Sequence, residues 1–264
     1  MKNKLTQLFN SKKNNILSIY FTASYPTIND TTTIINHLDK AGVDLIEIGI
    51  PFSDPLADGP IIQASCQQAL DNGMTLKLLL NQLKDIRQST QIPIVLMGYL
   101  NTVLAYGIEA FYNECAKIGI DGVILPDLPL DYYQSKFEAL SKKHNISNIM
   151  LISNETPAER ISTIDKNTNG FLYMVSSNSI TGANKDLNTQ TDYYQRIKDM
   201  QLTNPLLIGF GIYDHTTYEL TCQYSSGAII GTAFIKHINE NGISQESISN
   251  FVNGIRGIET TISN

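Results

Sequence analysis

Apolar positions along the chain gather into eight short runs rich in β-branched residues, at 16–22, 43–49, 93–98, 120–125, 147–152, 170–175, 205–209 and 226–230. Between them, apolar residues recur at three- and four-residue spacing, the period of a helix with one buried face. Such spacing runs through Ile34, Ile35 and Leu38 after Asn29-Asp30, Leu76 to Ile86 after Thr75, Phe111 to Ile118, Tyr133 to Leu140, and Ile161 with Ile164 after Pro157. Strand and helix alternating in this way predict a parallel sheet covered by helices. An open doubly wound sheet would carry a Gly-x-Gly-x-x-Gly turn after an early strand, and the chain has none. The pattern therefore points to a closed (β/α)8 TIM barrel, with residues 1–264 as one domain because no change of composition divides them. Residues 3–11 are expected to add an N-terminal helix across the barrel bottom. Residues 50–60 and 176–189 form the long loops, where function concentrates in compact domains.

The second run contains one acid. Leu45, Glu47 and Gly49 share one strand face, and Ile46, Ile48 and Ile50 share the other. If helices cover the isoleucines, Glu47 points into the opposite interior, where desolvation lifts a carboxyl pKa toward values useful for proton transfer. Pro51, Pro55 and Pro60 then stiffen a loop presenting Asp54 and Asp58 beyond the strand end. The competing reading is structural, with Glu47 satisfied by a lysine or by backbone donors.

Composition narrows the partners. Hydrophobic residues make up 42% of the sequence, charged residues 17%, and the net charge of −6 argues against a nucleic-acid or anionic-membrane surface. Lys2, Lys4, Lys12 and Lys13 precede the apolar run from Ile16 to Ala23 in the manner of a signal peptide. Ser18, Tyr20 and Thr22 interrupt that run, which reads better as a first buried strand. No stretch approaches membrane-spanning length. Cys66, Cys115 and Cys222 are odd in number and widely spaced, which fits a reducing, cytoplasmic compartment. His37, His144, His215 and His237 are scattered, so neither a nucleophile triad nor a metal cluster is expected.

Other strand ends carry polar groups. Asp127, between Pro126 and Pro129, suits a loop-structuring role as well as a functional one, and Met97-Gly98-Tyr99-Leu100-Asn101 reads as cleft lining. Three glycine-bearing turns, Thr181-Gly182-Ala183, Gly209-Phe210-Gly211 and Gly231-Thr232-Ala233, follow runs six, seven and eight. Loops after the seventh and eighth strands of such barrels commonly bind phosphate through free backbone N–H groups and a helix N-terminus.

The stretch Glu47 to Pro60, with Pro51-Phe52-Ser53-Asp54-Pro55-Leu56-Ala57-Asp58-Gly59-Pro60 unbroken, resembles the signature of the tryptophan synthase alpha chain family. The resemblance extends from Tyr20-Phe21-Thr22-Ala23 to Gly231. Gly209-Phe210-Gly211-Ile212 and Gly231-Thr232-Ala233 resemble that family's phosphate-binding segments, and Ile180-Thr181-Gly182 its sixth-loop lid. Tyr20 and Tyr173 match aromatic positions at its catalytic and indole-binding sites.

The resemblance implies cofactor-independent retro-aldol cleavage of indole-3-glycerol phosphate to indole and glyceraldehyde 3-phosphate. It implies Glu47 and Asp58 as catalytic groups, and Tyr20, Tyr173, Thr181, Gly182, Phe210, Gly211, Gly231 and Thr232 as substrate-binding residues, with no metal. It also implies a beta-chain partner carrying pyridoxal phosphate in an α2β2 heterotetramer, with Pro51, Asp54, Asn101 and Pro129 at the contact. The sequence departs from the family at Ser24, where glycine is usual, at Ser177-Asn178-Ser179, where Arg-x-Gly is commoner, and at Thr232, which replaces a frequent serine. Alternatives are another phosphosugar barrel enzyme, a magnesium aldolase using Glu47, Asp54 and Asp58, and a non-catalytic regulatory subunit.

Overall fold

The structure is a computed structural model describing residues 3–55, 58–176 and 187–258, without the side chains of residues 187–189. Eight strands, β1 (Ile16–Thr22), β2 (Leu45–Gly49), β3 (Ile94–Met97), β4 (Gly122–Ile124), β5 (Ser147–Ile152), β6 (Leu172–Val175), β7 (Leu206–Gly209) and β8 (Gly227–Ile230), lie in sequence order. Each pairs in parallel with its neighbours, and β8 pairs back onto β1 to close the barrel. All eight fall within the apolar runs of the sequence, because a strand covered on both faces needs apolar side chains on both.

Helices wrap the barrel: α1 (Lys4–Ser11), α2 (Asp30–Lys40), α3 (Pro60–Asp71), α4 (Leu76–Gln82), α5 (Leu100–Tyr106) and α6 (Ile108–Ile118) in the first half. The second half adds α7 (Leu130–Tyr132), α8 (Glu138–His144), α9 (Ala158–Asn167), α10 (Leu187–Asp199), α11 (His215–Tyr224), α12 (Thr232–Asn241) and α13 (Gln245–Arg256). Two differ from the expected spans. The periodic stretch 76–86 is helical only to Gln82, yet Leu83 and Ile86 stay buried, so a turn and a 3-10 segment (Ile86–Gln88) satisfy the remaining spacing. The stretch from Tyr133 begins as a π-helical segment (Tyr133–Phe137) between α7 and α8, which turns Tyr133 and Phe137 into the core.

The expected N-terminal helix is α1. The Asn3 side chain caps it by accepting from the Leu5 and Thr6 N–H groups at 2.9 and 3.2 Å, while its Nδ2 donates to the carbonyls of Asp121 and Asn145. Asp121 and Asn145 precede β4 and β5, and buried Phe9 meets Phe171 ahead of β6, so α1 lies across the N-terminal end of the barrel. Among the described residues no helix is long and apolar enough to cross a membrane.

The alternation along β2 is realised as expected. A Cβ at Gly49 would fall on the Tyr20 hydroxyl, which places Gly49 and Tyr20 on the inward face and Glu47 with them. Ile46 and Ile48, both fully buried, face the helical layer.

Candidate active site

Glu47 sits at the middle of β2 and is completely buried. The Ser18 hydroxyl, from the inward face of β1, donates to Glu47 Oε1 at 2.8 Å, while Oε2 has no hydrogen-bond partner among the described residues. Among the described residues neither a lysine nor a backbone donor meets this carboxyl, so its partner is not one of those the structural reading names. Burial pushes the Glu47 pKa up from 4.5 to about 8, against the smaller opposing pull of the Ser18 bond.

Beyond the loop, α3 has Pro60 in its first turn, where a missing N–H costs nothing. The α3 side chain Gln63 donates to the Asp58 carbonyl at 2.9 Å, and the Asp58 N–H donates to the Pro55 carbonyl at 3.0 Å. The loop is thus held at its far end, with the Asp58 carboxyl over the cavity. Tyr99, at the tip of β3, donates to Asp58 Oδ2 at 3.2 Å and stacks on Phe52 with ring centroids 5.0 Å apart. Burial raises the Asp58 pKa from 3.8 to about 6, partly countered by the Tyr99 bond. Asp127 accepts from the Leu100 N–H at 2.9 Å, so this acid fixes the start of α5 and acts on the loop's structure.

A cavity opens between these loops. Asp58 and Tyr20 line one side, Tyr173 and Phe210 another, with Met97, Ile62, Ile212 and Ile229 as apolar walls. Gly211, Gly231 and Thr232 close its far rim. Burial, and then the charges of Glu47 and Asp58, hold the Tyr173 phenol well above its ordinary pKa, so both acids reach the same ring electrostatically.

The late glycines divide their work. At Gly209 a Cβ would fall on the Tyr173 hydroxyl, so this glycine makes room for an aromatic wall. Phe210 and Gly211 both have left-handed backbone, at φ 72° and 73°. For phenylalanine that conformation is strained, and it is held where the Ser176 hydroxyl donates to the Phe210 carbonyl at 2.9 Å. Gly231 caps α12, whose first-turn N–H groups have no acceptor within the helix, and Gly231 and Thr232 line the same cavity as Gly211. Ser24 keeps the left-handed backbone, φ 58°, that glycine would adopt freely, with its N–H donating to Thr31 Oγ1 and its hydroxyl to the Ile28 carbonyl.

Of the residues singled out in the sequence, Glu47, Asp58, Tyr20, Tyr173, Phe210, Gly211, Gly231 and Thr232 converge at one barrel end. Thr181, Gly182 and Ser177-Asn178-Ser179 lie outside the described residues, as do Leu56 and Ala57. Asp54 is exposed and takes a 2.6 Å hydrogen bond from its neighbour Ser53, away from the cavity. Among the described residues no three His, Cys, Asp or Glu side chains are grouped to hold a metal ion, so Glu47, Asp54 and Asp58 do not form a magnesium site. Asn101 and Pro129 are exposed at the same rim, whereas Pro51 is buried.

Sequence reasoning passed over Ser18 and underrated Tyr99. Ser18 carried a signal, since strand alternation puts it on the same face as Tyr20 in a run otherwise apolar. Tyr99 carried none, because its contact with Asp58 spans 41 residues.

A family model described as tryptophan synthase alpha chain matches residues 6–259. A tryptophan synthase alpha chain of Flavobacterium psychrophilum is 54% identical over 254 residues, 96% of this chain and 99% of its own. One from Phocaeicola vulgatus is 53% identical over 239 residues, 90% of this chain and 93% of its own. Among solved structures, a Legionella pneumophila tryptophan synthase alpha chain superposes over 100% of both chains with a TM-score of 0.87 at 29% identity. The aminoacrylate-bound tryptophan synthase of M. tuberculosis superposes over 97% of this chain and 100% of its own, with a TM-score of 0.84 at 26% identity.

Proposed function

The chain belongs to the tryptophan synthase alpha chain family, and from that premise we propose that Glu47 and Asp58 perform its retro-aldol reaction. The chain is a lyase that cleaves indole-3-glycerol phosphate to indole and glyceraldehyde 3-phosphate in tryptophan biosynthesis. The observation that carries the assignment is that Asp58 lines the cavity while Glu47 lies buried on β2, both acting on the Tyr173 phenol of the cavity wall, with pKa values pushed apart to about 6 and about 8. At neutral pH Glu47 is then predominantly protonated and Asp58 predominantly ionised.

These are the states the chemistry needs. Glu47 gives its proton to indole C3, and positive charge spreads to the indole nitrogen. Ionised Asp58 beside that N–H stabilises the charge more in the transition state than in the ground state. The Glu47 carboxylate then takes the proton of the hydroxyl on the adjacent side-chain carbon. The carbon–carbon bond breaks, its electron pair returns to the ring, and the hydroxyl carbon becomes the aldehyde. Glu47 ends protonated, ready for the next turnover.

Phosphate is assigned to the Gly211, Gly231 and Thr232 rim, where first-turn N–H groups of α12 meet the glycine backbone. Thr232 supplies a hydroxyl as serine would. Tyr20, Phe210 and Tyr173 flank the indole, and Thr181 and Gly182 are assigned to the substrate through the family resemblance.

As an alpha subunit the chain works with the beta chain, which carries the pyridoxal phosphate; the alpha family holds no cofactor itself. We assign the contact to Asp54, Asn101 and Pro129, with Pro51 behind them, in an α2β2 assembly. Residues 1–264 are taken as one domain. Cytoplasmic location is supported by three free cysteines, two of them buried.

Indole release from indole-3-glycerol phosphate tests the assignment. Glu47→Gln keeps the shape, removes the transferable proton and should abolish indole formation while the fold persists. Turnover near the unsubstituted rate would overturn it. An absence of lyase activity with retained phosphate binding would favour a regulatory subunit.

A further inference from the structure

We propose that Ser18 is a positioning residue for Glu47, holding Oε1 as a fixed acceptor so that the transferred proton travels on Oε2. The proposal rests on the reading of Glu47 as the acid–base group. Both side chains are completely buried, and the hydroxyl lies 2.8 Å from Oε1. Ser18 has one proton, and the structure aims it at this carboxyl. If the carboxyl proton sat on Oε1, the hydroxyl would have to turn its own proton toward another acceptor, and among the described residues its one hydrogen bond is to Oε1. Oε1 is therefore the carbonyl oxygen of the neutral acid, and Oε2, left without a partner, carries the proton.

The surroundings make this bond matter. Glu47 is in register with Tyr20 of β1 and Val95 of β3, and the Tyr173 phenol on β6 feels its charge together with that of Asp58. No lysine, arginine or histidine among the described residues pairs with the carboxyl. Ser18 is then the donor that stabilises the carboxylate formed midway through the reaction, in a cavity where burial opposes that charge. It also keeps the carboxyl plane from turning, so that one oxygen both delivers the proton to C3 and recovers it from the hydroxyl.

Ser18→Ala, which removes a single oxygen, tests this. In the pH dependence of kcat/KM the basic limb, set by Glu47, should move upward by about one pH unit, the value of a hydrogen bond to a charged group. The acidic limb, set by Asp58, should stay in place. Infrared difference spectra against Glu47→Gln isolate the protonated Glu47 carboxyl, and its C=O band should move to higher frequency in Ser18→Ala. Ser18→Thr, which retains the hydroxyl, should return limb and band toward their original positions. Should Ser18→Ala fail to fold, Ser18→Cys, a weaker donor, should shift the band in the same direction. A folded Ser18→Ala whose limb and band both stay put overturns the proposal, even if its kcat falls equally at every pH, since that pattern marks packing alone. Glu47→Gln with near-normal turnover would instead remove the underlying reading of Glu47, whatever the infrared band does.

Discussion

Glu47→Gln should stabilise the fold in a pH-dependent manner while removing activity. Glu47 is fully buried, and its pKa rises from 4.5 in the unfolded chain to about 8 in the folded one. The folded state therefore holds the proton more tightly. The stability associated with the neutral acid is complete below pH 4.5 and is lost progressively as pH rises to about 8. At about 1.4 kcal/mol per pH unit, a span of roughly 3.5 units costs the unsubstituted chain about 5 kcal/mol by pH 8, and about 3 kcal/mol by pH 7. Glutamine does not titrate. Its amide meets Ser18 on one side and finds no acceptor on the other, an offset of about 1–3 kcal/mol that is the same at every pH. Urea unfolding of both chains from pH 4 to pH 9 reads the difference directly. The glutamine variant should gain steadily on the unsubstituted chain between pH 4.5 and about 8 and then hold level. Parallel stability curves, or a difference with the opposite slope, would show that Glu47 is not held neutral by burial.

Three further outcomes follow from the same cavity. The kcat/KM profile should be bell-shaped, with an acidic limb near the Asp58 value of about 6 and a basic limb near the Glu47 value of about 8; Asp58→Asn should lower turnover by about 100-fold or more and flatten the acidic limb. Gly209→Ala places a methyl group on the Tyr173 hydroxyl and should disturb indole binding, seen as a raised KM with the barrel still folded by circular dichroism. Gly211→Asp puts a side chain on a left-handed backbone and a negative charge at the phosphate rim, and should abolish inhibition by glycerol phosphate; inhibition that persists would move the phosphate elsewhere.

Mixing the chain with its cognate beta chain should yield a complex with a faster lyase step, because Asp58 shares its loop with exposed Asp54 and is tied through Tyr99 to the rim beside exposed Asn101. An unchanged lyase rate in a formed complex would uncouple that loop from the chemistry.

The sequence by itself determined the strand count, their parallel order and the inward direction of Glu47. A period of two and a period near 3.6 are local properties, and eight alternations of them leave a closed barrel as the economical way to cover every apolar face. It also carried the loop chemistry, since prolines at 51, 55 and 60 forbid regular structure between two acids. Its errors came where local pattern and packing part company. Apolar spacing from Leu76 to Ile86 looks continuous, but burial of Leu83 and Ile86 does not require a helix.

Only the tertiary structure decided which groups set the chemistry. Glu47 and Asp58 are neighbours in sequence and could share a role, but full burial of one and partial burial of the other give them different protonation states. Ser18 lies 29 residues from Glu47, and Tyr99 lies 41 residues from Asp58. Their hydrogen bonds exist because barrel closure and parallel register bring strand positions together, a relation that sequence spacing does not encode. Desolvation is likewise a property of the assembled cavity. The acid could be read from the chain, and its pKa only from what surrounds it.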